Sequence, residues 1–284
     1  MDKLREITDK VARMPALSPN AARLIELMGN GDRSSRDLLS LVKGDALLTG
    51  HILNVANSAA YSRGAPVASI ARALSVLGEK MVLGIALGAS APGVFAGPLT
   101  GYEGERGDLW RHGLAVAVAS RVIAKYARAK VDGEVAYTAG LLHDIGKAIL
   151  SEFLKGTAPS FVATIDSRRA GSYLEAERGE LGVDHCEAGK SLAKRWNLPA
   201  PLAGAISCHH SPSTAPPGLG PLVYVVHAAD IIAMMSGTGT GADAMLYRLD
   251  GHWEEYIDLS PRTLEEIAFA VILEHERIEA ILAS

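Results

Sequence analysis

Residues 139–150 read AGLLHDIGKAIL, so His143 and Asp144 stand side by side among Leu141, Leu142, Ile145, Ile149 and Leu150. Burying a polar group without a partner costs about 2–7 kcal/mol, and a charge costs more. The pair therefore meets partners inside the fold or binds something there. More residues of the same chemistry lie on either side: His112 in LWRHGL, His185 in GVDHCEAG, His209-His210 in SCHHSP and Asp230 in VHAADII. Each falls on or at the end of a predicted helix, and most are flanked by apolar residues. Imidazole nitrogen with carboxylate oxygen suits borderline divalent ions such as Fe, Mn, Zn or Ni. A tetrahedral structural zinc uses about four ligands. His112, His143, Asp144, His185, His209, His210 and Asp230 exceed that number and fit a pair of ions bridged by Asp144. Two ions about 3.5–4 Å apart can clamp an in-line displacement at phosphorus and acidify a water. Each histidine alone has a plainer reading as a hydrogen-bonded core residue. His209-His210, beside Pro212, could also place positive charge at a helix C-terminus.

The elements that must position these side chains are helical. Leu4, Ile7, Val11 and Met14 repeat at the spacing of one helix face. Ser18 and Pro19 read as the cap and first residue of a second helix, and Ser34-x-x-Asp37 as a capping box. About five helices are predicted before residue 92. Residues 91–107, APGVFAGPLTGYEGERG, are rich in Gly and Pro and mark the best boundary. Helices follow near 108–129, 134–154, 157–170, 172–179, 184–196, 199–209, 221–235, 242–257 and 261–282. Asp184-x-x-Glu187 resembles a capping box, and Pro199 and Pro261 fit first-turn positions. SGTGTGAD, 236–243, reads as a mobile loop. No strand alternation of useful length and no internal repeat is present. The fold class is therefore all-α: an N-terminal helical bundle over 1–92, a linker over 93–107 and a helical domain over 108–284.

Of the 284 residues 48% are AVILMFWYC but only 5% are aromatic, so Leu, Ala, Val and Ile must fill the core. A net charge of −4 argues against a nucleic-acid-binding face, which is usually basic. Cys186 and Cys208 make no disulfide framework. The start, MDKLREITDK, lacks a signal-peptide core. Residues 81–100 carry no charge, but their glycines and prolines predict a short buried helix to about Ser90 and then a loop, not a membrane span. A cytoplasmic protein is expected.

His112, His143-Asp144 and Asp230 match the H…HD…D pattern of the HD superfamily of metal-dependent phosphohydrolases. The added His185 and His209-His210 resemble the fuller set of the HD-GYP branch, whose members hydrolyse cyclic di-GMP. The residues after His210, SPSTAPPGLG, lack the GYP element. The chain resembles more closely the HDOD family, the HD-related output domains of bacterial signalling. DALLTGHILNVANSAAYSRGAPVASIARALSVLG, LWRHGLAVAVASRVIA, AGLLHDIGKAIL, LEAERGELGVDHCEAGKSLAKRWNLP and AISCHH carry that likeness in order, over roughly residues 5 to 235. The resemblance implies an all-helical signalling module with a divalent-metal site, one that works through a protein partner. The alternative it implies is an active phosphohydrolase on a nucleotide or cyclic dinucleotide. Many relatives lack parts of the ligand set and are regarded as non-catalytic, whereas this chain keeps it. In the enzyme reading Asp144 bridges the ions and Lys147, four residues after His143, steadies a substrate phosphate; a solvated lysine is the plain alternative. Asp108 stands at the offset where some HD-GYP proteins place a further carboxylate, although helix capping is the simpler role. Glu177 sits where the family often has an acid. Cys186 and Cys208 are expected to pack as buried thiols, and Asn57-Ser58 to tie an interhelical turn. His51, His227, His252 and His275 have no partner pattern.

Overall fold

The computed structural model describes residues 3–17, 19–29, 42, 46–57, 66–78, 81–82, 84–86, 92–95, 97–168, 170–244 and 246–282. Its N-terminal helices are α1 (Lys3–Arg13), α2 (Pro19–Gly29), α3 (Ala46–Asn57) and α4 (Ile70–Leu77). A two-stranded antiparallel ribbon, β1 (Pro98–Leu99) and β2 (Gly104–Arg106), follows. Then come α5 (Asp108–Ile123), α6 (Gly133–Leu142), α7 (Ile145–Leu150), α8 (Ala158–Asp166), α9 (Tyr173–Leu181), α10 (His185–Arg195), α11 (Ala200–Cys208), α12 (Gly220–Met235) and α13 (Pro261–Leu282). Apart from the ribbon, the elements among the described residues are helices. Ser18, Ser34, Asp37 and Ser58 lie outside the described residues, so the caps predicted there are not described. Met81, Val82 and residues 84–86 form buried helix. No described helix is long and apolar enough to cross a membrane.

Helix α5 is the centre of the molecule. Residues 112–120 are buried without interruption, and α6, α12 and α13 pack around it. A helix apolar on every side belongs in a core. Small residues set its distance from α6: a Cβ on Gly140 would stand 2.8 Å from the Val116 carbonyl, and one on Gly113 would stand 2.8 Å from the Leu141 carbonyl. A second close pair joins α7 to α10. There a Cβ on Gly146 would come within 1.8 Å of the His185 carbonyl. Two of the helices that carry candidate ligands are thus held backbone to backbone.

The N-terminal helices brace this group from behind. Helix α1 buries Ile7 and Val11 against α7 and α10. Lys10 donates to the Ile149 carbonyl at 2.9 Å, Arg195 to the Met14 carbonyl at 2.7 Å and Trp196 to the Pro15 carbonyl at 3.1 Å. Asn57 ties the α3–α4 turn as expected, its amide accepting from Val67 N–H at 2.7 Å and donating to Val67 C=O at 2.8 Å.

Four expectations are corrected. The predicted helix 134–154 is broken at His143-Asp144, where Asp144 adopts φ −99° and ψ 11°. The described residues of 242–257 hold one 3₁₀ turn, at Trp253–Glu255, and no α-helix, because Asp243 and Tyr247 are drawn into the buried centre by Lys147 and His210. Pro199 is the cap before α11, not a residue of its first turn. Residues 98–106, predicted as plain linker, form the ribbon.

Candidate metal centre

The breaks in the helices make the site. Consecutive helical residues point about 100° apart and cannot face one cavity. His143 closes α6 and Asp144 precedes α7, and the non-helical backbone at Asp144 turns both side chains inward. His209 and His210 likewise follow the end of α11, and their rings lie 4.2 Å apart. His185 is the first residue of α10, positioned by the predicted capping box of Asp184 and Glu187. His112 and Asp230 project from the interiors of α5 and α12.

All seven predicted ligands converge, and none retains more than 3% side-chain exposure. Asp144 lies between two sets. Its Oδ2 faces His112 Nε2 at 3.6 Å and His143 Nε2 at 3.4 Å. Its Oδ1 faces His185 Nε2 at 3.5 Å and His209 Nε2 at 3.4 Å. Asp230 Oδ1 closes the first set, 3.0 Å from His112 Nε2 and 3.6 Å from His143 Nε2. His210 Nδ1 lies 3.8 Å from Asp230 Oδ2. Ligand atoms about 2.0–2.2 Å from one ion stand roughly 3–4 Å from each other.

The outer nitrogens are committed elsewhere. His112 Nδ1 bonds the Thr238 carbonyl at 2.6 Å and His143 Nδ1 the Gly140 carbonyl at 2.7 Å, so each ring donates there. His209 Nδ1 donates to the Ile206 carbonyl at 3.1 Å. His185 Nδ1 lies 2.9 Å from Glu177, which also accepts from the His185 backbone N–H at 2.9 Å. These bonds leave the Nε2 lone pairs facing the cavity, the orientation that outer partners impose on metal-ligating histidines. Inside, the Nε2 atoms of His112, His143 and His185, both nitrogens of His210, Asp144 Oδ1 and Asp230 Oδ2 lack hydrogen-bond partners. So many enclosed acceptors facing one another are costly unless a cation joins them. The donor set therefore fits divalent metal. Asp144 with His185, His209 and His210 forms one cluster, and Asp144 with His112 and His143 forms another.

The sequence profile of the HDOD domain matches residues 14–212, which is most of the chain. The chain belongs to the HDOD family. An uncharacterised protein of Treponema pallidum (strain Nichols) is 24% identical over 226 residues, 79% of this chain and 43% of that protein. This chain thus spans less than half of that relative. An HDOD domain protein of unknown function from Geobacter sulfurreducens has TM-score 0.66 at 23% identity, over 99% of this chain and 93% of its own. A candidate signal transduction protein of Marinobacter aquaeolei VT8 gives 0.77 at 20%, over 99% and 64%. A candidate phosphohydrolase of Shewanella amazonensis SB2B gives 0.56 at 22%, over 96% and 97%. At these identities the solved structures establish the fold alone.

Electrostatics within the HDOD site divides the histidines. Burial pulls His143 below the usual imidazole range, and burial with the neighbouring His209 pulls His210 well below it. Burial also acts on His112, but Asp230 outweighs it and raises that ring. Glu177 raises His185 against burial, and Cys186 and Asp144 raise His209 to about 10. Burial works against the Asp144 and Asp230 anions, yet both are held well below the usual carboxylate range. Lys147 and His143 do this for Asp144, and His112 and His143 for Asp230. Metal binding to such a set releases protons.

Lys147 is neither solvated nor free. Its ammonium is buried, 2.7 Å from Asp144 Oδ2 and 2.6 Å from Asp243 Oδ2, and donates to Thr240 Oγ1 at 2.8 Å. Asp243 and Thr240 belong to the segment expected to be a mobile loop, and that expectation is corrected. Thr238, Thr240 and Asp243 are buried, and Tyr247 stacks on His210 with ring centroids 3.8 Å apart. Gly241, at φ +132°, lets the strap approach the ribbon, where Ala242 N–H meets the Tyr102 carbonyl at 2.6 Å. The strap's polar atoms are spent on the site: the Thr238 carbonyl on His112, Thr240 and Asp243 on Lys147. Composition alone hid this, because Gly, Ser and Thr read equally as solvent-facing loop. Buried Asp243 could have been sought only as a counter-charge for Lys147.

The remaining candidates take supporting places. Glu177, 0% exposed, also accepts from the Tyr102 hydroxyl at 2.6 Å. Asp108 holds Arg111 and the Glu105 N–H, while Gly107 is the helix cap. Cys186 and Cys208 are buried thiols, and Cys186 Sγ lies 3.8 Å from His209 Nδ1. His227 is a structural histidine: Nδ1 donates to the His209 carbonyl at 2.7 Å and Nε2 accepts from Asp250 N–H at 2.8 Å. His252 is exposed and paired with Glu255. Because Glu177 holds the His185 ring at Nδ1, Glu177→Gln is expected to weaken metal affinity about 10–100-fold. Competition with a chromophoric chelator measures this.

Proposed function

We propose that this HDOD chain is a signal-transduction module with a retained HD-type divalent-metal centre, and that a protein partner reads its conformation. The observation that carries the reading is the division of Asp144: one oxygen toward His112 and His143, the other toward His185 and His209. That arrangement supports two ions sharing Asp144, with His210 and Asp230 completing the set. Nitrogen with carboxylate oxygen suits Fe, Mn, Zn or Ni. Metal joins α5, α6, α10, α11 and α12, so its binding tightens the helices whose outer faces a partner would meet. We assign residues 1–92 as the N-terminal lobe, 93–107 as linker and 108–284 as the HD-type unit, in the cytoplasm, without nucleic-acid or membrane binding. Enclosure favours a module over an enzyme, because the strap at 236–244, together with Tyr247, closes the centre.

The second reading is a metal-dependent phosphohydrolase acting on a nucleotide or cyclic dinucleotide. Bound divalent ions would supply Lewis acidity and an acidified water to a phosphoester. The chain's own part is clear. Outer hydrogen bonds fix the imidazole tautomers, burial keeps bulk water away, and Lys147 balances Asp144 and Asp243. For Lys147 to steady a phosphate it would have to leave Asp243.

Metal analysis of the purified protein, followed by a phosphatase and phosphodiesterase panel with Mn²⁺ or Fe²⁺, separates the two. The module reading expects stoichiometric metal and no turnover on any substrate. Turnover that follows metal content and disappears with the Asp144 side chain would replace it with the enzyme.

A further inference from the structure

We infer that the cleft beside His210 is a recognition site for a phosphate group, with Arg248 as its principal contact. The inference deepens the metal-centre reading, because His210 belongs to both places, but Arg248 acts without any ion.

Among the candidate ligands His210 alone is half-buried as a residue, the others being buried, and it lines a cleft of about 210 Å³. Ser172, Arg178, Ser211, Tyr247 and Arg248 contribute to the other walls. Arg248 is exposed and has no hydrogen bond or ion pair among the described residues. An unpaired guanidinium at a cleft presents a planar fork of donors matched to phosphate oxygens. Arg178, half-exposed, also lines the cleft, but its guanidinium is already paired with Asp184 and, at 3.7 Å, with Glu187, which leaves Arg248 as the uncommitted one. Ser172 caps α9, so the positive end of that nine-residue helix faces the cleft as well.

One carboxylate, Glu175, also lines the cleft, and its Oε2 accepts from Gly171 N–H at 2.6 Å. It is thereby committed to the turn before α9, while Arg248 has no such commitment. The volume sets the ligand's size. Sites for drug-sized molecules span about 300–1,000 Å³. A smaller cleft suits a phosphate group, with any attached alcohol or nucleoside left outside. Tyr247 stands between this space and the metal centre, one face on the His210 ring and its hydroxyl on Asp243 at 2.9 Å. A phosphate seated at Arg248 is thus one ring away from the candidate ligands.

Isothermal titration with inorganic phosphate tests the proposal on the full chain, on Arg248→Gln and on Asp144→Asn. Metal content and melting temperature are measured on each. The expected result is saturable phosphate binding, weakened about ten-fold in Arg248→Gln with metal content and melting temperature unchanged. Binding should persist in Asp144→Asn. Adenosine monophosphate then distinguishes the sources. Tighter binding than inorganic phosphate identifies a phosphomonoester and equal binding identifies free phosphate; both uphold the cleft. Phosphate affinity unchanged in Arg248→Gln, or no binding at all, overturns the proposal and leaves the metal reading intact. Arg248-dependent binding to a chain that holds no metal upholds the cleft while the metal reading fails.

Discussion

Asp144→Asn is expected to empty the centre of metal. Among the described residues Asp144 is the one common to both ligand clusters, and its two oxygens face different histidines. An amide keeps the shape but removes the charge and presents one NH₂ where a lone pair is needed. Changing an outer partner typically costs 10–100-fold in affinity, and removing the shared carboxylate must cost more than about 100-fold. Elemental analysis after gel filtration should fall from stoichiometric to trace. The fold should survive, because Lys147 keeps Asp243 at 2.6 Å and Thr240 at 2.8 Å. Full metal retention by Asp144→Asn would mean that the ions sit elsewhere.

Gly146→Ala is expected to give the largest loss of stability from a single methyl group. The added Cβ would meet the His185 carbonyl oxygen at 1.8 Å and the Gly189 nitrogen at 2.7 Å. Overpacking against side chains costs about 1–3 kcal/mol because they can yield. Here both obstacles are backbone, so α7 and α10 must separate. We expect a loss of about 3 kcal/mol or more and a melting temperature lower by roughly 10 °C. His185 moves with α10, so metal affinity falls too. Gly179→Ala is the control: it lies in α9, where an added Cβ meets nothing within 4 Å. That change should be neutral or stabilise by up to about 1 kcal/mol. Equal effects of the two substitutions would show that the α7–α10 approach is looser than described.

Much of this was legible in the residues. Helix α10 was marked at its start by Asp184 and Glu187. The seven candidate ligands stood out as an ordered set of imidazoles and carboxylates in apolar surroundings, and it was the likeness to the HD pattern that set them apart from hydrogen-bonded core histidines. The break at His143-Asp144 was not legible. AGLLHDIGKAIL contains no proline, and its apolar spacing is as good for one helix as for two. The break is imposed by tertiary structure, since only there can adjacent side chains share a cavity. The strap was missed for a related reason. Its glycines marked a turn correctly, but whether a Thr or Asp in a turn faces water or a buried lysine depends on contacts more than ninety residues away. The role of Glu177 was left open in the sequence and became clear only from its bonds to His185 and Tyr102.

The central claim is that these seven side chains enclose divalent metal on both sides of Asp144. Anomalous diffraction from crystals of the purified protein, collected on either side of the absorption edges of Fe, Mn, Zn and Ni, tests it most directly. Two anomalous peaks are expected, one between Asp144 Oδ2, His112 and His143 and one between Asp144 Oδ1, His185 and His209. Density without an anomalous peak in crystals grown with each of those ions present, and with the histidines bonded to water or to one another, would contradict it.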